Sequence, residues 1–241
     1  MKTLLCSLIL IISGLTTLQA QFNEDVILNL ETEDQKLLNW GYYLGFNQYD
    51  FKVDYENHNP STVPIDEMLT SKSLGFNVGL IGELRLNNYM DLRLEPGLYY
   101  NQRDLIFRNN TTNDYSELVP VKSTYIHIPL LLKVSTKRLG NIKPYIVGGA
   151  ATSLNLSSNE GNSEGIKEGI VSMRKSNYYW EVGFGIDIYL RYFKFSPSIR
   201  GSFALKDEIY RGKNVDKDYF QGPKIYNGIY SRAIFVNFTF E

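Results

Sequence analysis

From residue 177 to 191 the chain reads NYYWEVGFGIDIYLR, and every even position carries a large apolar side chain. Tyr178, Trp180, Val182, Phe184, Ile186, Ile188 and Leu190 alternate with Asn177, Tyr179, Glu181, Gly183, Gly185, Asp187, Tyr189 and Arg191. A period of two is the pattern of a β-strand with one apolar and one polar face. The apolar row is about as long as a tilted strand needs to cross a bilayer core. A chain with several such strands behind a secretory signal is expected to close into an outer-membrane β-barrel.

The first twenty residues have the signal's form. Lys2 supplies the positive start, Leu4 to Ile12 the apolar run, and Leu18-Gln19-Ala20 a small-residue cleavage site before Gln21. The run is short for a membrane anchor and is followed by Ser13, Thr16, Thr17 and Gln19. The single cysteine, Cys6, lies inside this signal. The mature chain is therefore expected to have no disulfide, no cysteine metal site and no cysteine nucleophile. Net charge is −1, which gives no basic patch for nucleic acid. No later stretch approaches eighteen consecutive apolar residues, so transmembrane helices are not expected. The 18 tyrosines and 13 phenylalanines suit strands and interfacial aromatic girdles.

Residues 21–39 read as an acidic periplasmic lead, with a short amphipathic helix expected between Leu28 and Leu38. Eight strands follow, at about 40–53, 72–86, 89–107, 121–135, 142–156, 177–191, 192–206 and a last one reaching the C-terminus. Connections alternate between long and short. Long ones centre on Asn59, Asn110, Asn162 and Asp216; short ones lie at Asn87-Asn88, at 137–141 and near Arg191. That alternation predicts long loops outside and tight turns in the periplasm, with both termini periplasmic. The expected fold is all-β, an eight-stranded antiparallel up-and-down transmembrane barrel over 40–241 with a filled polar interior.

A soluble lipocalin-like barrel is the alternative, with its apolar face inward. The charges favour the membrane form. Glu83, Arg85, Asp91, Arg93, Glu95, Lys133, Glu181, Asp187, Lys194 and Arg200 all fall on the non-apolar face, in both signs. A narrow lumen lets them pair, as buried charges must. Glycines on the same face make room for them.

Candidates for chemistry are few. His58 sits in a loop, and His127 lies in Tyr125-Ile126-His127-Ile128-Pro129 on the fourth strand. His127 has the chemistry of a general base; a lumen histidine bonded to a tyrosine or carboxylate is the structural alternative. No serine carries a motif, and two distant histidines give no metal-ligand spacing. Asp91 and Glu95 resemble a glycosidase pair, but Arg93 between them predicts an ion-pair ladder. Pro96 and Pro129 each predict a local bulge or bend. Asn155-Leu156-Ser157 and Asn237-Phe238-Thr239 match a glycosylation sequon only by chance in such strands. No catalytic, cofactor-binding or metal residue, and no small-molecule substrate, is assigned. The expected surroundings are outer-membrane lipid.

Three motifs resemble the Bacteroidetes outer-membrane β-barrel family. They are the run from Leu86 through Leu92-Arg93-Leu94-Glu95-Pro96-Gly97-Leu98, then Tyr125-Ile126-His127-Ile128-Pro129-Leu130-Leu131-Leu132-Lys133, and Lys143-Pro144-Tyr145-Ile146-Val147-Gly148-Gly149-Ala150. The lead-in Trp40-Gly41-Tyr42-Tyr43-Leu44-Gly45-Phe46-Asn47 resembles the PorT/SprT branch. That resemblance implies a non-enzymatic component of the type IX secretion and gliding-motility apparatus, with other secretion components as partners. The reading kept beside it is a stand-alone structural or adhesive barrel.

Overall fold

The computed structural model describes residues 27–55, 67–109, 114–158, 173–208 and 226–241. The signal peptide and the centres of the four long connections lie outside the described residues. Ten strand segments form one antiparallel sheet: β1 (Leu38–Tyr55), β2 (Glu67–Lys72), β3 (Leu74–Arg85), β4 (Met90–Leu94), β5 (Gly97–Asn109), β6 (Asp114–Ser135), β7 (Ile142–Asn155), β8 (Ser176–Tyr189), β9 (Lys194–Ala204) and β10 (Tyr226–Phe240). β2 with β3, and β4 with β5, are two staves interrupted in the middle, so the wall has eight staves. The first closes on the last, Tyr42 opposite Phe240 and Phe46 opposite Val236. Each stave pairs with its neighbour in sequence.

The two interruptions differ in kind. From Lys72↔Arg103 to Phe76↔Tyr100 the second stave advances four residues while its partner advances three, so Ser73 marks a β-bulge. At Glu95-Pro96 the register does not slip. Leu94↔Leu130 and Gly97↔His127 are three residues apart on both sides. Of the bulge or bend expected at the prolines, the bulge is not found: the ladder breaks there without an inserted residue. The missing donor of Pro129 lies opposite that break, where the Glu95 amide donates to the Pro129 carbonyl at 3.2 Å.

The connections after β3, β6 and β8 are short and lie at one end, the turn end. The opposite, loop end carries the longer ones, with one exception. The stretch around Asn110 is mostly strand: β5 continues to Asn109 and β6 begins at Asp114. β6 has 22 residues against 14 in β7 and 11 in β9, so the wall is much taller on one side.

Alternation sorts the side chains as expected. On β8, Tyr178, Trp180, Val182, Phe184 and Ile186 are exposed, while Glu181 and Asp187 are buried. Two aromatic belts border the outer apolar surface. Trp40, Tyr42, Tyr89 and Tyr192 ring the turn end, and Tyr178 and Trp180 stand toward the loop end, as at the two interfaces of a bilayer. No helix among the described residues is long and apolar enough to cross a membrane. Among the described residues of the lead, 27–37, the helical turn is a 3-10 helix, Glu31–Gln35, shorter than the amphipathic helix expected between Leu28 and Leu38.

Candidate functional site: the plugged lumen

Inward-facing positions fill the barrel in tiers. Among the described residues, the carboxylates of Glu83, Asp91, Glu95, Glu181, Asp187, Glu208 and Glu241 are buried in the lumen with the cations of Arg93, Arg103, Lys133, Lys143, Lys194 and Arg200. The mixture of signs suits this interior, since an unpaired charge there costs several kcal/mol.

Glu83 is the hub nearest the turn end. It accepts from Arg93 Nη2 at 2.5 Å and Nε at 2.8 Å, and from Lys133 Nζ at 3.3 Å. Lys133 also donates to Asp187 at 2.7 Å, and the Ser196 hydroxyl donates to Asp187 at 2.6 Å. Glu241 follows the inward parity of Asn237 and Thr239. It turns into the lumen, 3.2 Å from Arg93 and 2.6 Å from Lys194. The expected ladder is thus rearranged. Arg93 pairs with Glu95 at 3.4 Å but not with Asp91, which lies 3.7 Å from Arg85. The β3–β4 pairing sets Glu83 directly across from Arg93 and Asp91 across from Arg85, so each charge is taken up by the neighbouring stave.

One tier higher, Arg200 bridges Glu95 at 2.7 Å and Glu181 at 3.0 Å. His127 Nε2 lies 2.6 Å from the other Glu181 oxygen. Tyr99, Tyr179 and Phe235 pack edge-on around the imidazole, with centroids 4.9, 5.7 and 5.9 Å away. His127 is 1 % exposed, so this geometry holds it inside a closed hydrogen-bonded and aromatic cluster. His58 lies outside the described residues. Among the described residues there is no group of three or more metal-ligating side chains.

Above that tier the lumen turns aromatic, which alternation alone does not reveal. Tyr43, Tyr49, Tyr99, Tyr125 and Phe235 form one buried cluster. Tyr43 lies over two glycines, since a β-carbon at Gly79 or Gly97 would collide with its ring or hydroxyl. The room that lumen glycines provide is taken by tyrosine here rather than by a charged side chain.

Among the described residues, contacts cross the lumen at both ends. At the loop end Arg103 donates to Ser231 at 2.6 Å and Tyr125 at 2.8 Å, and its guanidinium lies 4.0 Å over the Phe51 ring. Glu208 accepts from Tyr179, Ser231 and Asn177. Met173 is buried beside Ser123, and the Arg174 amide donates to the Glu208 carbonyl at 2.8 Å. Arg103 was legible as an inward odd position continuing Tyr99 and Asn101. Glu208 and Met173 lie in connections, where no periodicity marks them.

At the turn end the lead folds across the opening. Arg138 donates to Asp34 at 2.9 Å, and Tyr189 donates to Asp34 at 3.0 Å. Arg138 also reaches the Asn29 carbonyl and stacks 3.8 Å over Tyr189. The Asn29 amide donates to Asn141 at 2.9 Å, Asn141 to the Ile27 carbonyl at 3.0 Å, and Arg85 to the Glu33 carbonyl at 3.3 Å. Partial burial opposes the Asp34 charge, but the bonds from Arg138 and Tyr189 outweigh it and hold the carboxyl below the ordinary aspartate range. Leu30 adopts a left-handed φ of 50°, a strained conformation for a branched residue that the contacts on both sides hold in place. The described part of the lead is therefore docked, not a free segment.

A wall of alternating strands, an apolar outer belt between aromatic girdles and a plug of mixed charges together are the features of a small outer-membrane barrel. The family described as outer membrane protein beta-barrel domain matches residues 19–210. The chain belongs to that family. It is a β-barrel of the bacterial outer membrane. No curated protein sequence matches it. Among solved structures it is similar to the outer membrane protein OprG from Pseudomonas aeruginosa, at 12% identity over 84% of this chain and 93% of that one, with a TM-score of 0.42. It is also similar to Ail, the attachment invasion locus protein of Yersinia pestis, at 12% identity over 83% and 96%, with a TM-score of 0.33. The outer membrane protein AlkL in lipid bilayers shares 10% identity over 91% and 94%, with a TM-score of 0.40.

Proposed function

We propose that this barrel is a non-enzymatic component of the type IX secretion and gliding-motility apparatus, acting by contact with other secretion components rather than by conducting cargo. The resemblance of the Trp40–Asn47 lead-in to the PorT/SprT branch supports the apparatus; the Leu86–Leu98, Tyr125–Lys133 and Lys143–Ala150 motifs support only the wider barrel family. The filled lumen, with buried ion pairs and with contacts across both ends among the described residues, supports the mode of action. In this reading the turn end and the lead face the periplasm, and the tall β5–β6 hairpin faces outside. A stand-alone adhesive or structural barrel is the second reading, favoured by the height of that hairpin.

The test is complementation of a deletion strain with wild type, with His127→Ala and with Arg138→Ala, which unfastens the lead, scored for extracellular cargo and for spreading. The deletion is expected to block export, wild type and His127→Ala to restore it, and Arg138→Ala to restore it poorly. Normal export in the deletion strain would reject the secretion role. Failure of a folded His127→Ala protein would argue for an enzyme instead.

A further inference from the structure

The lipid-facing wall is not uniform. Over β6 and β7 its outward positions are aliphatic or small, as at Ile128, Leu130, Ile146 and Ala150. Over β3, β1, β10 and β9 it is dented by a groove of about 620 Å³. Leu44 and Val78, paired across β1 and β3, form its floor. Phe46 and Phe76, also paired, close it on the loop side. Phe195, Phe238 and Phe240 wall it on the other side, with Phe195 and Phe240 centroids 5.3 Å apart. Five of the 13 phenylalanines line this one groove, and no charged side chain does. Rings held against neighbouring rings make a stiff, ridged wall rather than one that collapses into the dent.

Its height decides what it fits. The groove begins beside Phe240, which stacks on Tyr42 in the turn-end girdle at 5.4 Å. It ends at Phe46, four residues further along β1. Four steps of roughly 3.4 Å, tilted by about 45°, rise about 10 Å, against about 15 Å for the hydrocarbon of one leaflet. A transmembrane helix or a second barrel presents a surface through both leaflets. A single acyl chain occupies one. The groove opens into hydrocarbon, and apart from Asn77, whose side chain turns inward to Asn237, its lining side chains are apolar, so van der Waals contact along a flexible chain is the main interaction available to it.

We infer that this groove holds an acyl chain of one phospholipid from the leaflet at the turn end, as an ordered lipid that stays with the barrel. Native mass spectrometry and phosphate analysis of protein purified in mild detergent and washed free of bulk lipid test it. Wild type is expected to retain one phospholipid. Val78→Trp and, separately, Leu44→Phe fill the floor and are expected to lose it. Val182→Trp, on β8 outside the groove, is expected to keep it. Retarded mobility of unheated protein on gels confirms that each variant is folded, and two independent floor substitutions guard against failure of either one. Wild type without bound phospholipid, or folded floor variants that retain it, overturns the inference. A dimer mass that disappears with the floor variants also overturns it, because the occupant is then a second copy.

Discussion

Glu83 meets Arg93, Lys133 and Lys194 inside the barrel, at 2.5, 3.3 and 3.6 Å, and its loss leaves cations facing one another. Glu83→Leu is expected to cost about 3–5 kcal/mol, read from urea titration of the protein refolded into lipid. A cost near zero would mean that water reaches the network. Asn101 behaves differently. It is fully buried, and neither end of its amide has a partner among the described residues. Asn101→Leu is therefore expected to be neutral or stabilising in the same titration, because an unmade hydrogen bond is removed and nothing is stranded. Gly97→Ala is expected to cost about 1–3 kcal/mol through overpacking against Tyr43. Pairing it with Tyr43→Leu should recover part of that loss, and the absence of any recovery would place the strain elsewhere.

The lead is the element whose behaviour depends most plainly on pH. Asp34 has its carboxyl held below the ordinary aspartate range when docked. Its contribution to docking is then fully present above that range and is lost as pH falls through the lowered value. The charged groups around it are Arg138, Arg85 at 4.0 Å and Lys143, all cationic at these pH values, so Asp34 is the partner whose charge changes. Hydrogen exchange over residues 27–37 is expected to be protected at neutral pH and to open on acidification below the aspartate range. In Asp34→Ala it should be open throughout. Protection unchanged at low pH would show that the Asn29 and Asn141 bonds suffice alone. Sequence patterning reached the lead only in outline, because polar bonds to turns distant in sequence hold it and no local period encodes them. The β5–β6 hairpin was misjudged for a related reason. Asn109 and Asp114 look like loop residues, and cross-strand pairing overrides that local preference.

At the scale of the whole molecule, the facing of the eight staves was legible because alternation is a local signal that any single strand displays. Which charge meets which was not, because the pairs join staves through the lumen: Lys133 to Asp187, Arg200 to Glu95, Arg93 to Glu241. Val182 lies near the middle of β8 and is 49% exposed. Val182→Arg is expected to cost about 2–4 kcal/mol of barrel stability in a bilayer, measured by denaturant titration after refolding, and no loss would invert the assignment of faces. The contacts of Glu241 also bear on how the cylinder forms. β10 completes the ring against β1, and its neighbour Glu241 simultaneously delivers the carboxylate that Arg93 and Lys194 share. A ring parted along that seam would withdraw this anion from Arg93, a cation already out of water, while Lys194 on β9 stays beside it. Closure and neutralisation are thus one event, and incompletely zipped forms are penalised electrostatically as well as through their exposed backbone. The finished wall is thereby biased against parting sideways along β1 and β10.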